Sequence, residues 1–88
     1  MINNPFHPGV FLQELLDDLN LSAYRLAKDT HMPATRVSQI LKHNRGITVD
    51  TAMRLSAYFD TTAQYWLNLQ NSFDIAHYEI EEIKALAR

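Results

Sequence analysis

Apolar residues recur along this chain at helical intervals. Leu12, Leu15, Leu16 and Leu19 stand at i, i+3, i+4 and i+7, one stripe of a helix whose other face carries Gln13, Glu14, Asp17 and Asp18. Pro8 suits its first turn and Asn20 marks its end. Ser22 then offers an N-cap hydroxyl, with Leu21 and Leu26 spaced as a hydrophobic staple around it. This second segment runs to Thr30, with Leu26 and Ala27 inward. His31 and Met32 make a short turn, and Pro33 opens a third segment whose inward stripe is Val37, Ile40 and Leu41. After the loop His43-Asn44-Arg45-Gly46, Thr48 caps a fourth helix, with Asp50 in its first turn and Ala52, Leu55 and Phe59 inward. Thr61 and Gln64 read as a T-x-x-Q capping box opening a fifth. From there Trp66, Leu69, Phe73, Ala76, Ile80, Ile83 and Ala87 alternate by three and four residues, a seven-residue apolar repeat without Gly or Pro. The repeat predicts one helix over 62–88, with a break at Asn71-Ser72 as the alternative.

The pattern predicts an all-α protein of five helices, one domain over 1–88, with an extended C-terminal helix over 76–88. Two glycines and three prolines are too few for a turn-rich β fold. The absence of cysteine excludes disulfides, thiol chemistry and Cys-based zinc sites. His7, His31, His43 and His77 share no i, i+3 or i+4 spacing and have no carboxylate cluster beside them, so no metal site is expected. Neither a glycine-rich phosphate loop nor a Ser/His/Asp arrangement is legible. We therefore expect no catalytic residues, no cofactor and no small-molecule ligand. No apolar run approaches the roughly 18 residues of a membrane span. The first residues carry no Lys or Arg and no apolar core of a leader. A cytoplasmic protein without membrane contact is expected.

Charge changes this picture. The net charge is −2, but residues 1–21 carry −3, residues 22–54 carry +4 and residues 55–88 carry −3. A basic centre between acidic flanks points to a polyanion surface in the middle. There the second and third helical segments meet at a three-residue turn, the geometry of a helix-turn-helix that sets its second helix in the DNA major groove. Ala27 is small enough for the third segment to cross close above the second, and Val37 and Ile40 pin it from beneath. Thr35, Arg36 and Gln39 project from its first two turns. Gln39 matches adenine N6/N7 and Arg36 guanine O6/N7, while Thr35 suits a base edge or a thymine methyl. Ser22, with the amides beside it, and Arg25, Lys42 and Arg45 are placed for phosphates. Arg54 stands at i, i+4 from Asp50.

Several runs are more specific than this periodicity: HPG at 7–9, LSAYRLA at 21–27, P-x-x-R-V-S at 33–38, RGIT at 45–48 and YWLNLQNSFD at 65–74. Over 7–75 the chain resembles the HigA-type antitoxins of bacterial toxin–antitoxin modules, whose repressor domain is similar to phage Cro-type repressors. The Trp66-containing run is the most specific. The resemblance implies a small dimeric autorepressor that binds a palindromic operator and neutralises a basic toxin similar to RelE-type mRNA endonucleases. Two positions depart from the family's habit. His31 stands where the turn usually has glycine, and Val10 where an acid often follows HPG. The apolar repeat supports the dimer. Four short helices cover Trp66 and Leu69, whereas Ile80 and Ile83 call for a second copy, which assigns Phe73, Ala76, Ile80 and Ile83 to a homodimer interface. Asp17 and Asp18, at the helix end that disfavours acids, suit a cationic partner such as the toxin or pair with Arg25. The competing readings are a stand-alone regulator without a toxin and a protein-interaction module that has lost DNA binding.

Overall fold

The computed structural model describes residues 6–78, which form five helices and no strand. They are α1 (Pro8–Asp18), α2 (Ala23–Thr30), α3 (Ala34–Leu41), α4 (Val49–Phe59) and α5 (Ala63–Ala76). The all-α reading stands. None of these helices is long and apolar enough to cross a membrane.

Side chains near the helix starts supply the missing hydrogen-bond acceptors. Ser22 Oγ accepts from Arg25 N–H and Thr48 Oγ1 from Thr51 N–H, as their sequence positions predict. The fifth helix starts differently. Thr62, not Thr61, is its N-cap, and its hydroxyl accepts from Tyr65 N–H at 3.0 Å. Thr61 Oγ1 instead accepts the indole N–H of Trp66 at 2.8 Å, and Gln64 bonds Asn68. The T-x-x-Q box is thereby dissolved. The reason is burial: Trp66 is fully buried, and its N–H needs a partner inside the fold.

Four helices end alike. Asn20, His31, His43 and Asp60 lie at φ between 54° and 67°, just past α1, α2, α3 and α4. After each of them the chain turns back on the helix. Leu21 N–H reaches Leu16 O, Met32 reaches Ala27, Asn44 reaches Gln39 and Thr61 reaches Ser56. These bonds satisfy carbonyls that a helix end leaves open. None of the four is glycine, and neither glycine has positive φ.

The fifth helix stops at Ala76, and Asn71-Ser72 lies inside it. The single helix over 62–88 is therefore not formed. His77 is its C-cap: its N–H makes the last i→i−4 bond, to Phe73 O at 3.1 Å, its Nδ1 lies 2.9 Å from the same carbonyl, and its ring stacks on Phe73. Ile80, Ile83 and Ala87 lie outside the described residues.

The core joins Leu12 and Leu16 of α1, Leu26 and Ala27 of α2, Val37 and Ile40 of α3, Ala52 and Leu55 of α4, and Trp66 of α5, with Met32 and Ile47 from the loops. Leu19, the last member of the first apolar stripe, is exposed. Helix α3 rests on α1 and α2, while α4 packs on α2 and α5. The Thr61–Trp66 bond tests this packing. Thr61→Val keeps the shape, orphans the indole N–H and is expected to cost about 1–3 kcal/mol in a urea titration. Thr61→Ser, which keeps the hydroxyl, is expected to cost clearly less.

Candidate nucleic-acid interface

Helices α2 and α3 meet at His31, whose φ of 60° and ψ of 38° are left-handed. This is the turn position where glycine was the norm, and His is among the residues that tolerate it. Met32 folds inward behind it, and Pro33 ends the turn. Helix α3 then crosses over buried Ala27, with Val37 and Ile40 fully enclosed. Its far side is open: Ala34, Thr35, Ser38, Gln39, Lys42 and Asn44 line one shallow recess. The structure thus puts Thr35, Gln39 and Lys42 on a single surface, as their spacing predicts.

Arg36 sits differently. Its Nη1 donates to Asp50 Oδ2 at 2.6 Å, and its side chain is only 24% exposed. The same carboxylate oxygen accepts from Arg54 Nε at 3.0 Å, and Arg54 Nη1 donates to Thr30 O at 2.9 Å. Asp50 therefore ties α3 to α4, and through Arg54 to the end of α2. The Arg36 bond, then the Arg54 bond, hold its carboxyl below the usual carboxylate range. Arg25 pairs with Asp29 rather than with Asp17 or Asp18. Asp29 also accepts from Tyr58 O–H at 2.7 Å, the main reason its carboxyl is held low and the Tyr58 phenol is pushed up.

The loop after α3 is fastened at both ends. At its start, the His43 ring stacks on His7, with centroids 4.8 Å apart and planes 15° from parallel. His7 is buried and caps α1, its Nδ1 accepting from Gly9 N–H at 2.9 Å. Phe73 meets the His7 ring edge-on. Gly9 lets α1 touch the backbone of α3: a Cβ there would stand 2.2 Å from Ile40 O. At the loop's other end, Gln70 Oε1 accepts from Ile47 N–H at 2.7 Å. Gly46 leaves room for that amide, because a Cβ on it would meet Gln70 at 2.8 Å. Between these anchors Arg45 reaches back, and its Nε donates to Gln39 Oε1 at 2.9 Å.

Sequence reasoning singled out HPG and the Gln70-containing run as family marks without assigning them work. His7 and Gly9 seat α1 against α3, and Gln70 holds the loop. Asp50 was read only as an N-terminal acid and a partner for Arg54. Its bond to Arg36 spans fourteen residues and has no local signature. Of the residues assigned to a dimer, Phe73 is half-buried and its ring engages His7 and His77, while Ala76 is exposed.

Comparison with known proteins places this geometry. A helix-turn-helix family model matches residues 12–66. Virulence-associated protein I of Dichelobacter nodosus is 47% identical over 70 residues, covering 78% of this chain. The matched region spans 65% of that relative's own length, so the chain corresponds to just under two thirds of it. An addiction-module antidote protein of the HigA family from Coxiella burnetii superposes with a TM-score of 0.86 at 44% identity, over 94% of this chain and 91% of its own. Pseudomonas aeruginosa antitoxin HigA, solved with the higBA promoter, superposes with a TM-score of 0.87 at 38% identity, over 96% and 92%.

His7 supplies a pH test of the seating of α1. Burial, then the neighbouring His43, lowers its pKa from the ordinary imidazole value of 6.5, against the opposing pull of the Arg45 backbone and Asp74. Below that value the unfolded chain takes up a proton that the folded chain resists. Stability is therefore full above it and declines as pH falls toward the lowered pKa. The melting temperature is expected to drop between about pH 7.5 and 5.5. His7→Asn, which keeps an acceptor for Gly9 N–H, is expected to flatten that drop.

Proposed function

The chain belongs to the helix-turn-helix family, and on that premise we propose that it is an antitoxin and transcriptional autorepressor that binds operator DNA through α3. The observation that carries this reading is the open polar face of Thr35, Gln39 and Lys42 on a short helix gripped from behind. A groove-reading helix needs that division between a seated back and a free front. The likeness to an addiction-module antidote protein and to an antitoxin solved with its promoter supports it.

Thr35 and Gln39 meet base edges in this reading. Arg36, held by Asp50, sets the angle of α3 and keeps spare N–H groups for the edge of the groove. Lys42 takes a phosphate at the C-terminal end of α3. Ser22 and Arg25 do so at the start of α2, where the first amides of the helix face outward. The protein acts as a homodimer, with two copies of α3 one DNA turn apart, about 34–36 Å, on a palindromic operator. Ala76 and the segment after it, with Ile80 and Ile83, supply the contact between copies. The protein partner is a basic toxin of the RelE type, with Asp17 and Asp18 as a contact for its charge.

Titrating the DNA upstream of the chain's own gene at several salt concentrations tests the surface. Gln39→Ala is expected to cost about 1–3 kcal/mol on the operator and little on unrelated DNA. Lys42→Ala is expected to weaken both alike and to lower the salt slope by about one contact. Unchanged affinity in both variants would remove α3 as the reading helix.

A further inference from the structure

Resting on the DNA-binding reading above, the geometry points to Gln39 and Arg45 acting as one donor-only reading unit that selects guanine in the major groove. A free glutamine amide suits adenine, because its oxygen accepts from N6 while its nitrogen donates to N7. Here that oxygen is already engaged: Arg45 Nε donates to Gln39 Oε1 at 2.9 Å. Arginine carries donors only, so the bond fixes the orientation of the amide, oxygen toward Arg45 and nitrogen outward. What the pair offers a base is then the Gln39 Nε2 hydrogens and the Nη hydrogens of Arg45. The second lone pair of Oε1 remains, but a base donor brought to it would lie beside the guanidinium's own N–H groups and charge. Guanine presents two neighbouring acceptors, O6 and N7, whereas adenine sets its N6 donor against this surface and cytosine offers a donor alone.

The pairing is built into the fold rather than left to a loose side chain. Asn44 N–H bonds Gln39 O at 2.8 Å, so the loop turns back over the reading helix at that residue. One residue past Arg45, Gly46 lies against Gln70, and Ile47 N–H is held by the Gln70 amide. Arg45 is thus suspended between two anchored neighbours, above the exposed face of α3. Arg36, the one arginine within α3, is committed to Asp50. Arg45 takes the guanine-reading role that the sequence suggested for Arg36.

Selection from a randomised duplex library tests this, using the full chain, Gln39→Ala and Arg45→Ala. The position read by the pair is the one whose preference disappears in Gln39→Ala. The wild-type chain is expected to favour guanine there by roughly 5- to 150-fold, the range of one bidentate contact. Arg45→Ala frees Oε1 and is expected to move that preference to adenine. Should Arg45→Ala bind too weakly to select, 7-deazaguanine placed at the wild-type guanine decides. A loss of about fivefold or more supports the pair, because N7 is the atom removed. Adenine chosen by the wild-type chain, an unaltered preference in Arg45→Ala, or full affinity for 7-deazaguanine overturns the inference and leaves DNA binding intact. No enrichment of any sequence by the wild-type chain overturns the DNA-binding reading, and this inference with it.

Discussion

A helix of eight residues does not hold its shape alone in water. Its first turn fixes several dihedrals for one hydrogen bond, and isolated helices shorter than about 12–15 residues are marginal. Helix α3 is that short, and no side chain caps its start. Its order must come from what it rests on, and the other four helices divide that work. Helix α1 meets its backbone through Gly9, and α2 lies beneath it at Ala27. Helix α4 holds Arg36 through Asp50, and α5 holds the loop that follows through Gln70. Each grip is on the back, the flank or the trailing loop. The open face remains free of the other four helices, and only Arg45 of the trailing loop reaches it, through Gln39.

The same arrangement sorts the positive charge of the central segment. Arg25, Arg36 and Arg54 are paired with carboxylates inside the chain. These exposed pairs add little stability one by one, but they fix where the arginines point. Lys42 and Arg45 have no carboxylate within ion-pair distance among the described residues. Both lie at the C-terminal end of α3, where the helix dipole favours a cation. Among the described residues the unpaired cations of that segment are thereby reduced to Lys28 on α2 and, at one end of α3 and in its loop, Lys42 and Arg45.

The helices were legible because burial leaves a local trace. Leu12 and Leu16, Val37 and Ile40, and Ala52 and Leu55 recur at intervals that only a helix puts on one side. The caps at Ser22 and Thr48 were legible for the same reason, since a cap is a contact over three residues. What escaped depends on partners distant in sequence or on competition for one group. Gln70 serves an amide twenty-three residues away, and Arg36 a carboxylate fourteen away. Thr61 and Thr62 are equally good caps on paper, and only the buried indole of Trp66 decides between them. The apolar repeat beyond Phe73 suggested a longer helix, but periodicity carries no information about where a helix closes, and α5 closes at His77. On the candidate surface, Thr35, Gln39 and Lys42 were placed by angle alone. The partner that alters what Gln39 can offer lies in a loop, where no angle rule applies.

The four left-handed residues that close α1 to α4 bear on the unfolded chain as much as on the folded one. A side chain in that conformation strains the native backbone by about 1 kcal/mol, less for asparagine and aspartate. Glycine would relieve the strain, yet it would also give the unfolded chain more conformations to lose, an opposing term of about 0.4–1 kcal/mol. The two nearly cancel. The ends of these helices can therefore drift among Asn, Asp, His and Gly with little effect on the folding equilibrium. A histidine at the α2–α3 turn, where glycine is the habit, is one such near-neutral exchange between native strain and unfolded freedom.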